Sequence, residues 1–136
     1  MTLHEFVALP HRFRWGGQGG DDCLTFCALW VAEVIGVDPA ERLRGTYRTE
    51  EEAAALIEAA GGMVKFVDKH LSAIGLRRTR APKHGDIGVI IAPAGLDGTM
   101  KLIGAIRFGN SLWLALGAAG IVGKKAEFVA AWRVAQ

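Results

Sequence analysis

Apolar side chains recur at helical spacing through the first half of the chain and alternate at strand spacing through much of the second. Cys23, Phe26, Cys27, Trp30, Val31 and Val34 lie three and four residues apart, and Leu24, Ala28, Leu29 and Ala32 make the opposite face apolar as well. Between Cys23 and Ile35 only Thr25 and Glu33 are polar. A helix over Asp21–Ile35 that is apolar nearly all round is buried on most of its sides. Asp21 or Asp22 caps its start, and Gly36 supplies the residue after its end. Ahead of it, Thr2 and Glu5 form a capping box for a short helix over Thr2–Leu9 that Pro10 closes. Behind it, the pattern predicts a short helix from Asp38-Pro39 to Leu43, with proline at its first position. A further helix runs from the Thr49/Glu52 capping box to Ala60, and another from Met63 to Ile74, closed by Gly75. Strands are expected at Ile87–Ile91, Lys101–Phe108, Ser111–Leu116 and Phe128–Val134, with Asp97-Gly98 turning a hairpin.

Helices first and strands second predict an α+β fold, a sheet with helices on one face. A chain of 136 residues fits one domain over residues 1–136, with enough buried surface for a core. There is no internal repeat, low-complexity tract or linker. Hydrophobic residues make up 51% and charged residues 22%, more apolar than a freely soluble enzyme needs, which leaves room for surface covered by partner subunits. No apolar run reaches the roughly 18 residues that span a bilayer. The longest candidate, Leu102 to Val122, is broken by Arg107, Asn110, Ser111 and four glycines. Met1–Pro10 has neither a basic start nor a long apolar stretch, so no secretory signal is expected.

The net charge is +2, with both signs interspersed. One basic cluster, Arg77, Arg78, Arg80 and Lys83, precedes a strand. It has no aromatic interleaving, so it reads as a solvated or partner-facing loop, and no nucleic-acid partner is expected. Two cysteines four apart on a helix seldom meet disulfide geometry, and no further Cys or His stands at ligand spacing. Neither a metal nor a cofactor is expected.

The candidate chemistry centres on Cys23. It follows a loop, His11–Gly20, with four glycines among residues 16–20 that leave space for a substrate chain. In the first turn of a helix, unpaired N–H groups and the helix dipole favour a thiolate and lower its pKa. The Cys23 N–H can serve as an oxyanion donor. A thiolate nucleophile also needs a histidine to pair with it. His84, just before Gly85-Asp86, is the candidate base against a solvent-exposed turn histidine, and His11 is the other. His4 and His70 read as helix-surface or satisfied residues. Asp22 is a candidate acid or base, with the plainer role of helix cap. Cys27 reads as a buried core thiol, and Asp86 as a residue that tightens the turn into its strand. Trp15 and Trp113 read as groove or core.

Trp15-Gly16-Gly17 followed by Asp22-Cys23 and Phe26 resembles the W-G-G … D-C-S-G-F signature of NlpC-type peptidases, papain-like hydrolases of peptidoglycan stem peptides. Pro82-Lys83-His84-Gly85-Asp86-Ile87 is similar to that family's P-G-D segment before an apolar strand. The resemblance implies a papain-like fold with the cysteine helix packed on a C-terminal antiparallel sheet. It also implies Cys23 as nucleophile and Trp15, Gly16 and Gly17 as the substrate groove. It departs at three places. Leu24-Thr25 replace Ser-Gly, so that Leu24 crowds the site floor. The strand that opens with the catalytic histidine reads Ile103-Gly104-Ala105-Ile106-Arg107-Phe108-Gly109, with Ile103 at the histidine position and Leu102 or Gly104 one register away. Leu114, Ala115 and Leu116 stand where the residue orienting the imidazole would fall.

Over its whole length the chain also resembles a small group of phage and prophage proteins encoded among tail genes. Trp15-Gly16, Asp22-Cys23, Asp38-Pro39, Arg44-Gly45-Thr46-Tyr47 and Ala131-Trp132-Arg133 carry that likeness. It implies a tail-tip component, made in the host cytoplasm and placed in the virion beside other tail-tip proteins. The first expectation is a structural domain that has lost its histidine. The alternative is an active cysteine peptidase or amidase on cell-wall peptides, using His84, His11 or a histidine from another chain. A third reading is a binding module unrelated to phage.

Overall fold

A computed structural model describes residues 1–94 and 97–134. Four helices precede five strands: α1 (Leu3–Ala8), α2 (Cys23–Ile35), α3 (Glu50–Ala59), α4 (Met63–Ser72), β1 (Ile87–Pro93), β2 (Met100–Phe108), β3 (Leu112–Gly117), β4 (Gly120–Lys124) and β5 (Glu127–Trp132). The strands form one antiparallel sheet in the order β4-β3-β2-β1-β5. The fold class is therefore α+β. No helix among the described residues is long and apolar enough to cross a membrane.

The capping box at Thr2 and Glu5 starts α1. At α3 only half of the expected box forms. Thr49 accepts from the Glu52 N–H, but the Glu52 carboxylate takes the N–H of Arg48 instead. The stretch after Asp38-Pro39 is a series of turns rather than a helix, because Asp38, Arg44 and Gly45 are engaged across the chain by other partners. β4 has no counterpart in the expected strands. Two alanines, Ala118 and Ala119, join it to β3, and Gly120 at φ +109° supplies the left-handed residue that closes the turn.

The helices lie on one face of the sheet. Leu3, Phe6, Phe26, Trp30, Val31, Phe66 and Leu71 meet Ile87, Val89, Ile106, Leu116 and Trp132 in the main core. Burial of each large side chain there stabilises the fold by about 1.5–3 kcal/mol. A second core of Ile90, Ala92, Ala105, Trp113, Ala115 and Ala131 fills the opposite face. Trp113 is the large member. Its indole lies over Gly88, where an added Cβ would come within 2.5 Å of the ring. Trp113 is thus core rather than groove.

The turn into β1 is tied to the chain's end. Asp86, fully buried, accepts from the backbone N–H groups of Lys83 (2.8 Å) and Val134 (2.9 Å) and from Arg133 Nε (2.8 Å). Arg133 also donates to Thr79 Oγ1 and the Ala81 carbonyl. A buried carboxylate of this kind is tolerable because its lone pairs are matched by donors.

Candidate functional site

The start of α2 is built on Asp22. Its backbone is extended (φ −91°, ψ −175°), and its Oδ1 accepts from the N–H groups of Leu24 (3.0 Å) and Thr25 (2.9 Å). Thr25 Oγ1 returns the bond by accepting the Asp22 N–H at 2.9 Å. The second oxygen, Oδ2, accepts from the Gly16 N–H (3.1 Å) and the Tyr47 hydroxyl (2.5 Å). Asp22 is 1% exposed and has four donors on its carboxylate. It is a cap and a hub. Its lone pairs are taken up by these donors, the arrangement of a helix cap, the plainer of its two candidate roles.

The segment from Asp38 to Tyr47 closes over this start. Arg44 donates through Nε to Asp38 (2.8 Å), through Nη1 to Asp21 (2.8 Å) and the Gly17 carbonyl (3.0 Å), and through Nη2 to the Thr25 carbonyl (3.3 Å). The Gly45 N–H donates to the Gly16 carbonyl at 3.0 Å. Gly16 sits at φ +95°, and a Cβ there would stand 2.0 Å from the Tyr47 carbonyl oxygen. Only glycine fits. Gly16 and Gly17 are both buried, so they do not line an open groove. The chain itself fills the space that the loop seemed to leave for a substrate. Trp15 is half-buried, with its ring edge-on to Phe13 at 5.3 Å.

Cys23 is the first residue of α2; part of the residue reaches the surface, while protein surrounds its thiol. The N–H groups of Gly104, Cys23 and Leu24 favour its thiolate. Burial, followed by the charge of the adjacent Asp22 carboxylate, outweighs them and pushes the thiol from an ordinary 9.0 up to about 12. The expected lowering by the helix terminus is thus reversed. Desolvation acts on the whole charge, whereas the dipole supplies only partial charges. Cys27, buried one turn on, is also raised, first by burial and then by the charge of Cys23.

The strand opposite Cys23 is β2. Side chains alternate along it, and Ile103 packs with Ile90, Ala105 and Trp113 on the face away from the helices. The residue that meets α2 is Gly104. A Cβ there would lie 2.9 Å from Leu24 Cδ2 and 3.5 Å from both the Cys23 carbonyl oxygen and Cys27 Sγ. Leu24 occupies the space that a side chain at position 104 would need. β2 pairs with β3 only from Ile106 to Phe108. Beyond that register the N–H of Gly104 reaches the Cys23 thiol.

None of the histidines completes a dyad. His84 is exposed; its Nδ1 accepts the Gly109 N–H (2.8 Å), and its ring lies 5.1 Å from Phe108 and 5.6 Å from His4. Phe108 is four residues along β2 from Gly104, roughly 13 Å at strand rise. α2 supplies a second ruler. Trp30, whose indole N–H donates to the Gly85 carbonyl at 2.8 Å, lies seven residues beyond Cys23, about 10 Å at helical rise. His84 therefore sits at the far end of α2, out of hydrogen-bond reach of Cys23. His11 donates to the Phe6 carbonyl (2.7 Å), and its ring stands edge-on to Phe26 at 5.1 Å. His70 donates to the Phe66 carbonyl within α4. Among the described residues no three His, Cys, Asp or Glu side chains are grouped to hold a metal ion. A cavity of about 40 Å³ beside Leu24, Cys27, Val31 and Phe66 is nearly all apolar, and it is far too small for a peptide.

Asp38, Arg44 and Tyr47 are the site residues that spacing does not single out. Their motifs are visible in the chain, but nothing local says that they close over a loop more than twenty residues earlier. A family described as a domain of unknown function (DUF6950) matches residues 2–134. The chain belongs to that family. No curated protein and no solved structure gives a match.

Two outcomes follow from this geometry. Tyr47→Phe removes a donor from a buried carboxylate and is expected to lower unfolding stability by about 1–3 kcal/mol, read from urea denaturation. The second concerns alkaline pH. Because the folded-state pKa of Cys23 is raised, its contribution to stability is complete below pH 9.0 and is lost as pH rises toward about 12. Cys23→Ala should therefore show a shallower fall in melting temperature above pH 9 than the parent chain, while Cys27 and Tyr47, raised in the same direction, keep it from becoming flat.

Proposed function

We propose that this chain is a papain-like domain of the NlpC type that keeps the cysteine helix as architecture without its chemistry, and that it serves as a structural component of a phage or prophage tail tip. The contact between Leu24 and the bare Gly104 backbone carries the first half of this reading. The position facing the cysteine has no side chain, and a leucine fills the gap. The raised thiol and the distant His84 support the same reading.

The tail-tip half rests on the motif resemblance. Its physical support is that four of the five motifs, Trp15-Gly16, Asp22-Cys23, Asp38-Pro39 and Arg44-Gly45-Thr46-Tyr47, meet in one hydrogen-bonded network. The fifth, Ala131-Trp132-Arg133, locks the other end of the sheet through Asp86. These residues serve stability, and a part of an assembly needs stability more than it needs an open cleft. Exposed Ile91, Met100, Leu102, Phe128 and Val129 on the sheet supply apolar surface for neighbours.

Iodoacetamide labelling of Cys23 in a Cys27→Ala background tests the loss of chemistry. The rate is expected to climb with pH through pH 10 without a plateau and to stay below that of the urea-unfolded chain. A plateau near pH 7 that His11→Ala or His84→Ala abolishes would establish an activated thiolate and overturn the reading. Mass spectrometry of purified particles should find the chain among the tail proteins; its absence from intact virions would remove the tail-tip assignment.

A further inference from the structure

The basic segment before β1 remains outside the Cys23 site, and it is held in an unusual way. Residues 77–79 run antiparallel to the end of β5. The Thr79 N–H donates to the Ala131 carbonyl (2.9 Å), and the Arg133 N–H donates to the Arg77 carbonyl (2.8 Å). Arg133 also grips the segment from the side, through Thr79 Oγ1 and the Ala81 carbonyl. The Arg78 guanidinium lies over the Trp132 ring, 5.3 Å from its centroid. These contacts pin the segment in an extended conformation.

Two groups of atoms on this segment are left over. In an antiparallel pair the backbone bonds of alternate residues point to opposite sides. Arg77 and Thr79 bond inward to β5. The N–H and carbonyl of Arg78 therefore point outward, and among the described residues they have no backbone partner. The cations are the second group. Arg77, Arg78, Arg80 and Lys83 are all exposed, and none joins an ion pair among the described residues. Four exposed cations thus stand within seven residues of one another beside one short sheet edge.

We infer that the edge formed by Arg77–Arg80 is a docking site for an acidic, extended segment of a partner protein, which adds to the sheet as a further strand. The outward N–H and carbonyl of Arg78 pair with the partner's backbone. Carboxylates on that strand are met by the exposed guanidinium groups of Arg77, Arg78 and Arg80. Pro82 ends the pairing edge, so the contact is short, and charge rather than length gives it selectivity. A nucleic acid is the less suitable occupant, because it gains nothing from a strand edge and finds no exposed ring to stack on: Trp132 is fully buried beneath Arg78. This inference stands apart from the reading of Cys23.

Fluorescence anisotropy on the full chain tests it, with a labelled peptide of alternating Glu and Val about ten residues long as the probe, at roughly 50 and 150 mM salt. The acidic peptide is expected to bind, and N-methylation of its alternate backbone nitrogens should weaken binding by about tenfold at unchanged charge. R77E/R80E, which leaves the Arg78–Trp132 stack in place, should abolish binding while the melting temperature holds. R12E/R42E, a reversal of two exposed arginines elsewhere, should leave it intact. The inference is overturned if the peptide does not bind, or if R12E/R42E weakens it as much as R77E/R80E. It also fails if the N-methylated peptide and a short DNA duplex bind as well as the parent peptide, since the patch then attracts any polyanion.

Discussion

The buried carboxylate of Asp22 holds the first half of this molecule together. A carboxylate out of water is costly unless every lone pair finds a donor. Here the donors come from three places in the chain: the helix it caps, the glycine loop before it, and Tyr47 on the segment after it. Each partner is thereby fixed relative to the others. The loop must come close enough for the Gly16 N–H to reach, and this is why a side chain at Gly16 would collide with the Tyr47 carbonyl. Arg44 braces the same junction by neutralising Asp21 and Asp38 while bonding two carbonyls.

That solution sets the electrostatics of Cys23. The carboxylate that starts the helix is also the nearest charge to the thiol, and it has the wrong sign for a thiolate. A nearby imidazolium would offset it, but His11, His70 and His84 are bonded to the Phe6 carbonyl, the Phe66 carbonyl and the Gly109 N–H, and His4 packs against the His84 and Phe108 rings. Cys23 therefore sits at the geometric origin of a site in surroundings that keep it protonated.

Much of the fold was legible in the chain. The apolar sweep from Cys23 to Ile35 has one physical outcome, a buried helix, and the capping residues bound it. The strands with clear alternation were equally readable. β4 was not, because Gly120-Ile121-Val122-Gly123-Lys124 has two glycines and its turn is made of alanines, which carry no turn signal. The turns after Asp38-Pro39 carry a helix signal in the sequence because local propensity does not register that Arg44 bonds more than twenty residues upstream. The same limit applies to the site. Cys23 and the lack of a histidine on β2 were visible from residue order. Which of Leu102, Ile103 and Gly104 faces the thiol depended on strand orientation, and the structure selects Gly104. The thiol's pKa is raised rather than lowered because the apolar pattern shows a buried helix but not that the Cys23 thiol, beside the Asp22 charge, is desolvated enough to outweigh the dipole.

Leu24 and Gly104 have a consequence for how this chain can change over generations. Any side chain introduced at position 104 meets the Leu24 methyl at 2.9 Å, so it is disfavoured while the leucine stays. Shrinking Leu24 first empties packed space beside Cys27 and weakens the core. Either order of substitution passes through a less stable protein. The two positions are thus epistatic, and single-step drift is discouraged from putting a functional group in front of Cys23, even though the helix and the strand that would hold it are both in place.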